Sequence, residues 1–392
     1  MKNIWLISYR FDEVMAGPSI RFQRYSSVFK RFGFQLHIVT ARLNKSYPEN
    51  QDYEDFSVHR ISVPRGILSI TRFVSKALIY ISNQPQDNQR VLTFILQTYQ
   101  LWLLPRLAKK GIKVFYVSTM AANPVFKGGA IGRLWNKLHL MLYSILYQRI
   151  GGVVCSTETL ANTLVDFGLK DERKFIINNG VDTVKFAPPS QNEKKKLREL
   201  LGLPSDALLF LFIGLKTDRK GIRELCEAWI QVENTAANYN AHLLLVGNEK
   251  PEANNASFND WWRSFKSAIH NDGNITLVGG VENVEDWFRA SDVFVFPSKK
   301  EGMPNVVLEA MSTGLPIITN RFEGYSAVYG DEGVTHLAFS HREKSRELER
   351  LLCLLMEDEN RRLNIGHEAR KEILASFSVE ESVKSFIDLF QD

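Results

Sequence analysis

The sequence predicts an α/β protein with two doubly wound, Rossmann-like domains and a helical C-terminal extension. Two observations carry this. Short apolar runs alternate with longer helical patterns, and the alternation halts near residue 180 and restarts near residue 208. Strand–helix alternation builds parallel sheets through right-handed crossovers. At about 150 residues per domain, a chain of 392 residues accommodates two.

In chain order, Ile4–Ser8, Gln35–Thr40, Val91–Ile95, Lys113–Val117 and Gly152–Ser156 are the expected strands of the first half. Their apolar residues are consecutive rather than alternating, the pattern of strands covered on both faces. Helices are expected over Ser19–Arg31, Tyr99–Lys110 and Leu134–Arg149. Asn179-Gly180 and Pro188-Pro189-Ser190 then break the periodicity and read as a linker. Strands resume at Leu208–Gly214, His242–Gly247, Ile275–Val278, Asp292–Phe296 and Leu315–Thr319. From about Glu343 onward only helical patterns follow.

Hydrophobic residues at 44% and charged residues at 24% are ordinary globular usage. They exclude a disordered tail, a collagen-like fibre and a disulfide-stapled miniprotein. Cys155, Cys226 and Cys353 form no C-x-x-C pair, which points to a reducing, cytoplasmic setting rather than to a disulfide framework or zinc ribbon. Met1–Tyr9 reads as a first strand rather than a secretory signal. The longest charge-free apolar window, Val91–Pro105, has 15 residues, short of the roughly 20 that a spanning helix needs. No membrane crossing is expected.

Charge is uneven. Residues 1–186 carry 25 Lys+Arg against 12 Asp+Glu, and residues 187–392 carry 24 against 32. Between Phe56 and Thr157 there are 13 basic residues and one acid, Asp87. Arg65, Arg72 and Lys76 lie in an apolar stretch, and Lys127, Arg133, Lys137 and Arg149 share another with Trp135, Tyr143 and Tyr147. Basic, aromatic, aliphatic helices suit an anionic bilayer surface, so a peripheral association with the inner face of the plasma membrane is expected. The plainer alternative is that these faces pack the first sheet. Nucleic acid is not expected, since the stretches are too apolar and no reading motif is present.

Two constellations follow strands, where ligands of open α/β sheets bind. In the first, the strand ending at Pro297 leads into Glu301-Gly302-Met303-Pro304-Asn305-Val306, with Glu309 one turn on and Gly314 closing the helix. Asn305 is the expected N-cap, and the loop before it would sit at a helix N-terminus, an anion site by geometry and dipole. Glu301 and Glu309 would repel phosphate but can accept hydrogen bonds from the hydroxyls of a ribose or hexose. In the second, Gly214 ends a strand and Arg219-Lys220-Gly221 opens the next helix, so two cations could neutralise a diphosphate and the charge growing on a leaving group. Either group taken alone could be ordinary surface charge. There is no G-x-x-x-x-G-K-[ST] or G-x-G-x-x-G motif, no Asp-x-Asp, no H-x-x-x-H or H-E-x-x-H spacing and no G-x-S-x-G. Dinucleotide binding, metal chemistry and acyl transfer are therefore not expected.

Together these residues resemble the retaining glycosyltransferases of family 4, which have the GT-B fold and a Glu-x7-Glu signature, here Glu301 and Glu309. Asn178-Asn179-Gly180-Val181-Asp182…Phe186 resembles that family's interdomain junction. Gly214…Lys220-Gly221, Leu245-Val246-Gly247 and Val278-Gly279 resemble its C-terminal strand ends. Ala16-Gly17-Pro18 with Arg21 is similar to its glycine loop, and Phe377-Ser378 with the last helix to its crossover back onto the first domain.

The resemblance implies two facing Rossmann-like domains: an acceptor-side domain over 1–182, a nucleotide-sugar domain over 183–375, and a returning helix over 376–392. It implies that Arg219 and Lys220 hold the diphosphate and that Glu309 takes the ribose hydroxyls. Glu301 and the backbone from Gly302 to Val306 would hold the sugar and phosphates, with Gly17, Gly214, Val278 and Gly279 completing the donor site. Arg219, Lys220 and Glu301 would carry catalysis, with no cofactor and no obligatory metal. The acceptor would be a lipid-linked, lipopolysaccharide-type or surface-polysaccharide glycan.

The chain departs from the family pattern in two places. Leu215 stands where many members have arginine, and Val117-Ser118-Thr119-Met120 where many have a histidine facing the sugar. Asp12 and Glu13 are candidates for a compensating carboxylate, and Arg21 for a further acceptor-side contact. The alternatives are a sugar phosphorylase-like enzyme of the same fold and a catalytically inactive GT-B scaffold subunit.

Overall fold

The computed structural model describes residues 2–11, 17–64, 66, 68–84, 89–95, 100–118, 129–165, 168–235, 239–269, 273–322, 329–340 and 346–391. The chain divides into two compact units, Met1–Gly180 with Val379–Asp392, and Val181–Ser378.

The first unit is built on an eight-stranded sheet. Its strands are β1 (Lys2–Ile7), β2 (Phe34–Ala41), β3 (Asn50–Asp52), β4 (Phe56–Ile61), β5 (Arg90–Thr93), β6 (Lys113–Ser118), β7 (Gly152–Cys155) and β8 (Lys174–Ile176). Their order is β3-β4-β2-β1-β5-β6-β7-β8, parallel throughout except for the antiparallel β3–β4 edge. Helices α1 (Gly17–Arg31), α2 (Ser69–Ser82), α3 (Gln100–Ala108), α4 (Gly129–Tyr147) and α5 (Glu158–Val165) cover it. β1 shows why its residues are apolar in succession. Successive side chains point to opposite faces. Trp5 and Ile7 join the core that includes Phe73 and Ala77 of α2, whereas Ile4 and Leu6 join the one that includes Phe22 and Phe29 of α1.

The second unit has six parallel strands: β9 (Leu208–Ile213), β10 (Ala241–Val246), β11 (Ile275–Val278), β12 (Val293–Phe296), β13 (Ile317–Asn320) and β14 (Leu337–Phe339). Their order is β11-β10-β9-β12-β13-β14. Its helices are α6 (Gln191–Leu200), α7 (Ile222–Thr235), α8 (Ala256–Ile269), α9 (Val284–Ala290), α10 (Asn305–Ser312), α11 (Arg346–Glu357) and α12 (Glu359–Ser376). The last helix, α13 (Val379–Gln391), belongs to the first unit. There Phe386 meets Phe22 edge to face at 5.2 Å, and Arg31 pairs with Glu380 at 2.7 Å.

Several elements differ from expectation. β3, β4, β8 and β14 had no apolar run to announce them: β3, β8 and β14 span three residues each, and β4 carries His59 and Arg60. The strand expected from Leu315 begins two residues later, because Leu315 is still closing α10. Its N–H donates to the Ala310 carbonyl at 3.1 Å while Gly314 donates to Met311 at 3.0 Å, a Schellman end with Gly314 at φ 76°. Within the expected linker, Ser190 starts α6 through a capping box with Glu193.

One polar cluster sits in the first unit. His37 Nδ1 and His59 Nε2 are 3.1 Å apart on neighbouring strands, the Trp5 ring stacks on His37 at 4.4 Å, and the Tyr80 hydroxyl lies 3.1 Å from His59 Nδ1. Burial, and then the neighbouring His59, pull His37 down to about 4; burial also lowers His59, with Asp52 opposing in both cases. A histidine whose folded pKa is depressed is held neutral by the fold. Its stability contribution is complete above the unfolded value near 6.5 and is lost as pH falls toward the folded one. Thermal stability is therefore expected to drop between about pH 6.5 and 4. The double variant His37→Gln/His59→Gln should flatten that slope, which melting curves across the range will measure.

Candidate active site

The site is assembled from the carboxyl ends of β11, β10, β9 and β12, four adjacent strands. β9 delivers Gly214, whose N–H donates to the Val246 carbonyl at 3.0 Å. On β10's side, Gly247 (φ 130°) comes so close that a Cβ there would lie 2.1 Å from the Gly214 oxygen. Lys216 fastens this junction. It is buried, and its ammonium donates to the carbonyls of Gly247 and, at 2.6 Å, of Val278. Burial pulls it down to about 8, Glu249 resisting and Lys266 adding to the shift. The Val278 carbonyl also accepts from Gly247 N–H at 3.1 Å, and Gly279 borders open space. Lys216 had not been singled out in the sequence. A lysine two residues past a buried strand was the available signal, and it was eclipsed by the Arg-Lys pair beyond it.

Arg219 and Lys220 lie on a 3-10 turn, Asp218–Lys220, ended by Gly221 at φ 71°. A Cβ on Gly221 would fall 2.0 Å from the Pro297 carbonyl oxygen, so only glycine lets the turn press against the end of β12. Further bonds stitch the two loops. Lys299 N–H donates to the Arg219 carbonyl at 2.9 Å, and the Lys299 ammonium pairs with Asp218 at 3.0 Å and Glu224 at 2.9 Å. Asn320 Nδ2 donates to the Ser298 carbonyl at 3.0 Å from the next strand.

The result is a convergence on one atom. Arg219 Nη1, Lys220 Nζ and Ser298 Oγ reach Glu301 Oε1 at 2.8, 2.8 and 2.6 Å. Burial pushes the Glu301 carboxyl up, but Lys220, Ser298 and Arg219 together outweigh it and hold the group below the ordinary carboxylate range. Lys220 also sits 5.2 Å from the Phe296 ring centroid, and its side chain is 15% exposed against 47% for Arg219. Fully buried Tyr329, also not anticipated, keeps its phenol protonated, because burial and then the Glu301 charge raise its pKa.

After Glu301 the loop Gly302–Pro304 leads into α10. Pro304, not Asn305, is the N-cap; Asn305 is the first helical residue and no side chain caps the end. Pro304 can cap by backbone because its φ of −74° and extended ψ precede a helix without strain. The Met303 side chain is buried in the core that includes Val307 and Leu308, so its backbone is what the loop can offer. Val306 is partly buried against that core, and Glu309 is buried on the same helix. Two cations, a helix start and carboxylates thus share one sheet edge, suited to an anion joined to a polyol.

The first-unit candidates behave differently. Arg21 is buried; it donates to Tyr25 Oη at 3.0 Å and to the carbonyls of Ile177 and Asn178 at 3.3 and 3.1 Å. Those donors hold α1 to the chain leaving β8. Gly17 is the first residue of α1. Asp12, Glu13, Ala16, Thr119 and Met120 lie outside the described residues.

Residues 207–358 match the sequence pattern of the family described as glycosyl transferases group 1. That stretch, under half of the chain, is similar to the group 1 glycosyltransferases. It contains Gly214, Arg219, Lys220, Glu301 and Glu309. The capsular polysaccharide biosynthesis glycosyltransferase CapM of Staphylococcus aureus is 25% identical over 248 residues, 61% of each chain. The UDP-Gal:alpha-D-GlcNAc-diphosphoundecaprenol alpha-1,3-galactosyltransferase of Escherichia coli is 27% identical over 219 residues, 55% of this chain and 54% of that one. The alignments thus span under two thirds of these curated relatives. Among solved structures, sucrose-phosphate synthase of Thermosynechococcus elongatus aligns with a TM-score of 0.79 at 18% identity, covering 100% of this chain and 98% of that one. The two parallel-sheet α/β units make the fold GT-B.

Because Glu301 neutralises part of the charge of Arg219 and Lys220, removing its charge should strengthen anion binding between these loops. For Glu301→Gln, pyrophosphate affinity measured by calorimetry is expected to rise about tenfold, or about 1.4 kcal/mol. Unchanged or weaker binding would show that the carboxylate does not compete for these cations.

Proposed function

We propose that the chain is a retaining, metal-independent glycosyltransferase of family 4. On this reading it moves a sugar from a nucleoside-diphosphate donor to a lipid-linked, lipopolysaccharide-type or surface-polysaccharide acceptor, at the cytoplasmic face of the membrane. The observation that carries it is the convergence of Arg219 and Lys220 on Glu301 beside the start of α10, inside the stretch similar to the group 1 glycosyltransferases. The names of the two curated relatives, one using UDP-Gal on a diphosphoundecaprenol and one in capsule synthesis, support the donor and acceptor classes.

In the proposed reaction the bond between the sugar's anomeric carbon and the diphosphate oxygen breaks. The acceptor hydroxyl oxygen bonds to the same face of that carbon, and its proton passes to the departing diphosphate. The phosphate is then the only base required, which suits a chain with Val117-Ser118 where a histidine was looked for. Arg219 and Lys220 stabilise the charge that develops on the diphosphate, and the positive end of the α10 dipole adds to them. Glu301 accepts from the transferred sugar's hydroxyls and Glu309 from the ribose. Among the described residues, no group of three or more His, Cys, Asp or Glu is placed to hold a metal ion.

Lys220→Ala should slow turnover roughly 10²–10³-fold, the scale of one lost preorganised contact to developing charge. Steady-state assays of donor turnover by the purified chain test this, and near-normal rates would remove the diphosphate assignment. A wild-type chain that turns over no donor would point instead to a scaffold. Saturating EDTA should leave activity intact; a full loss restored by Mg²⁺ or Mn²⁺ would show that a metal, not protein cations, carries the phosphate chemistry.

A further inference from the structure

Helix α4 presents an apolar stripe that no described residue of the first unit covers. Leu134, Leu138, Met141 and Ile145 recur at intervals of four, three and four residues, one face of a helix, and are 68, 41, 53 and 37% exposed. The opposite side of the helix is tied down: Leu146 and Tyr147 are buried in the core that includes Leu104 and Leu107 of α3. On α3, which packs against α4, Trp102 is 80% exposed. From Leu134 to Ile145 the stripe runs about 16 Å at 1.5 Å per residue.

The surrounding charge selects the occupant. Helices α2, α3 and α4 contain no Asp or Glu, and they carry Arg72, Lys76, Arg106 and Lys137. A second copy docked through the same face would set these like charges against one another. An anionic lipid surface meets both demands, taking apolar side chains below the headgroups and cations among them. Among the described residues no helix is long and apolar enough to cross a membrane, so the contact is an interfacial one.

We propose that Trp102, Leu134, Leu138, Met141 and Ile145 form a ridge that inserts into one leaflet of an anionic bilayer, with the α2–α4 cations reinforcing it. This rests on the membrane location proposed above and adds to it an apolar anchor. Insertion and charge attraction separate by salt, because the Debye length falls from about 10 Å at about 0.1 M to about 3 Å at about 1 M.

The test is flotation of the full chain with phosphatidylcholine–phosphatidylglycerol vesicles at both salt concentrations. It compares wild type with the exposed-residue variant Trp102→Ser/Leu134→Gln/Leu138→Gln/Met141→Gln. Wild type is expected to keep a bound fraction at high salt that the variant loses about tenfold or more. The variant should still bind at low salt, and its circular dichroism and melting curve should match those of wild type, which reports that both units are folded. If wild type binds and the variant matches it at both salts, the ridge is overturned and the membrane location survives. Wild type that floats at neither salt overturns both. A concentration-dependent dimer in sedimentation, lost in the variant, would overturn insertion in favour of self-association.

Discussion

The close approach of Gly221 to the Pro297 carbonyl sets the geometry of the Arg219 and Glu301 loops. The 2.0 Å that a Cβ would have there leaves no room for any other residue, and the left-handed φ of 71° excludes one independently. With the turn pressed onto the end of β12, Arg219 and Lys220 cannot extend freely into solvent; they meet the chain emerging from that strand. The Arg219 carbonyl accepts from Lys299 N–H, and two residues later Glu301 receives both cations. A residue with no side chain thus determines where three charged ones go. The same device recurs one strand over, where Gly247 rides against Gly214 and Lys216 ties the carbonyl ends together.

The consequence is electrostatic. Exposed ion pairs contribute about 0–1 kcal/mol, and Arg219, almost half exposed, falls in that class. Lys220 and Glu301 are more enclosed, and Ser298 adds a hydroxyl donor to the same oxygen. On Glu301 two cations meet one carboxylate beside the α10 N-terminus, where the dipole is also positive. An anion is therefore favoured there. The carboxylate limits how strongly, and gives the site an acceptor for hydroxyl groups that phosphate alone would not use.

What the sequence disclosed and what it withheld divide along a physical line. Features encoded locally were legible: the consecutive apolar runs of β1, β2, β9 and β12, the glycine at the C′ position of α10, and the grouping of Arg219-Lys220 and Glu301 after strands. Features that depend on what lies opposite were not. Edge strands such as β3 need only backbone partners, so their side chains carry no pattern. Arg21 looks like a cation available to a ligand until Tyr25 and the carbonyls of Ile177 and Asn178 are placed around it. Lys216 looks like loop charge until the ends of β10 and β11 close over it. Asn305 has the side chain of a cap, yet the backbone of Pro304 already occupies that position.

The uneven charge along the chain follows the same division. In the second unit, cations of loops after the strands are matched by carboxylates from nearby elements: Lys299 by Asp218 and Glu224, Arg321 by Glu332 and Glu347. Each pairing spends a positive charge internally to fix a loop. Helices α2 to α4 of the first unit have no carboxylate of their own with which to do this. Among the described residues, Lys76 of α2 donates to the Ser62 carbonyl, and Lys110, two residues past α3, to the Ser82 carbonyl. A carbonyl orients an ammonium without cancelling its charge. The cations of these helices therefore keep their field, because nothing on their own elements cancels it.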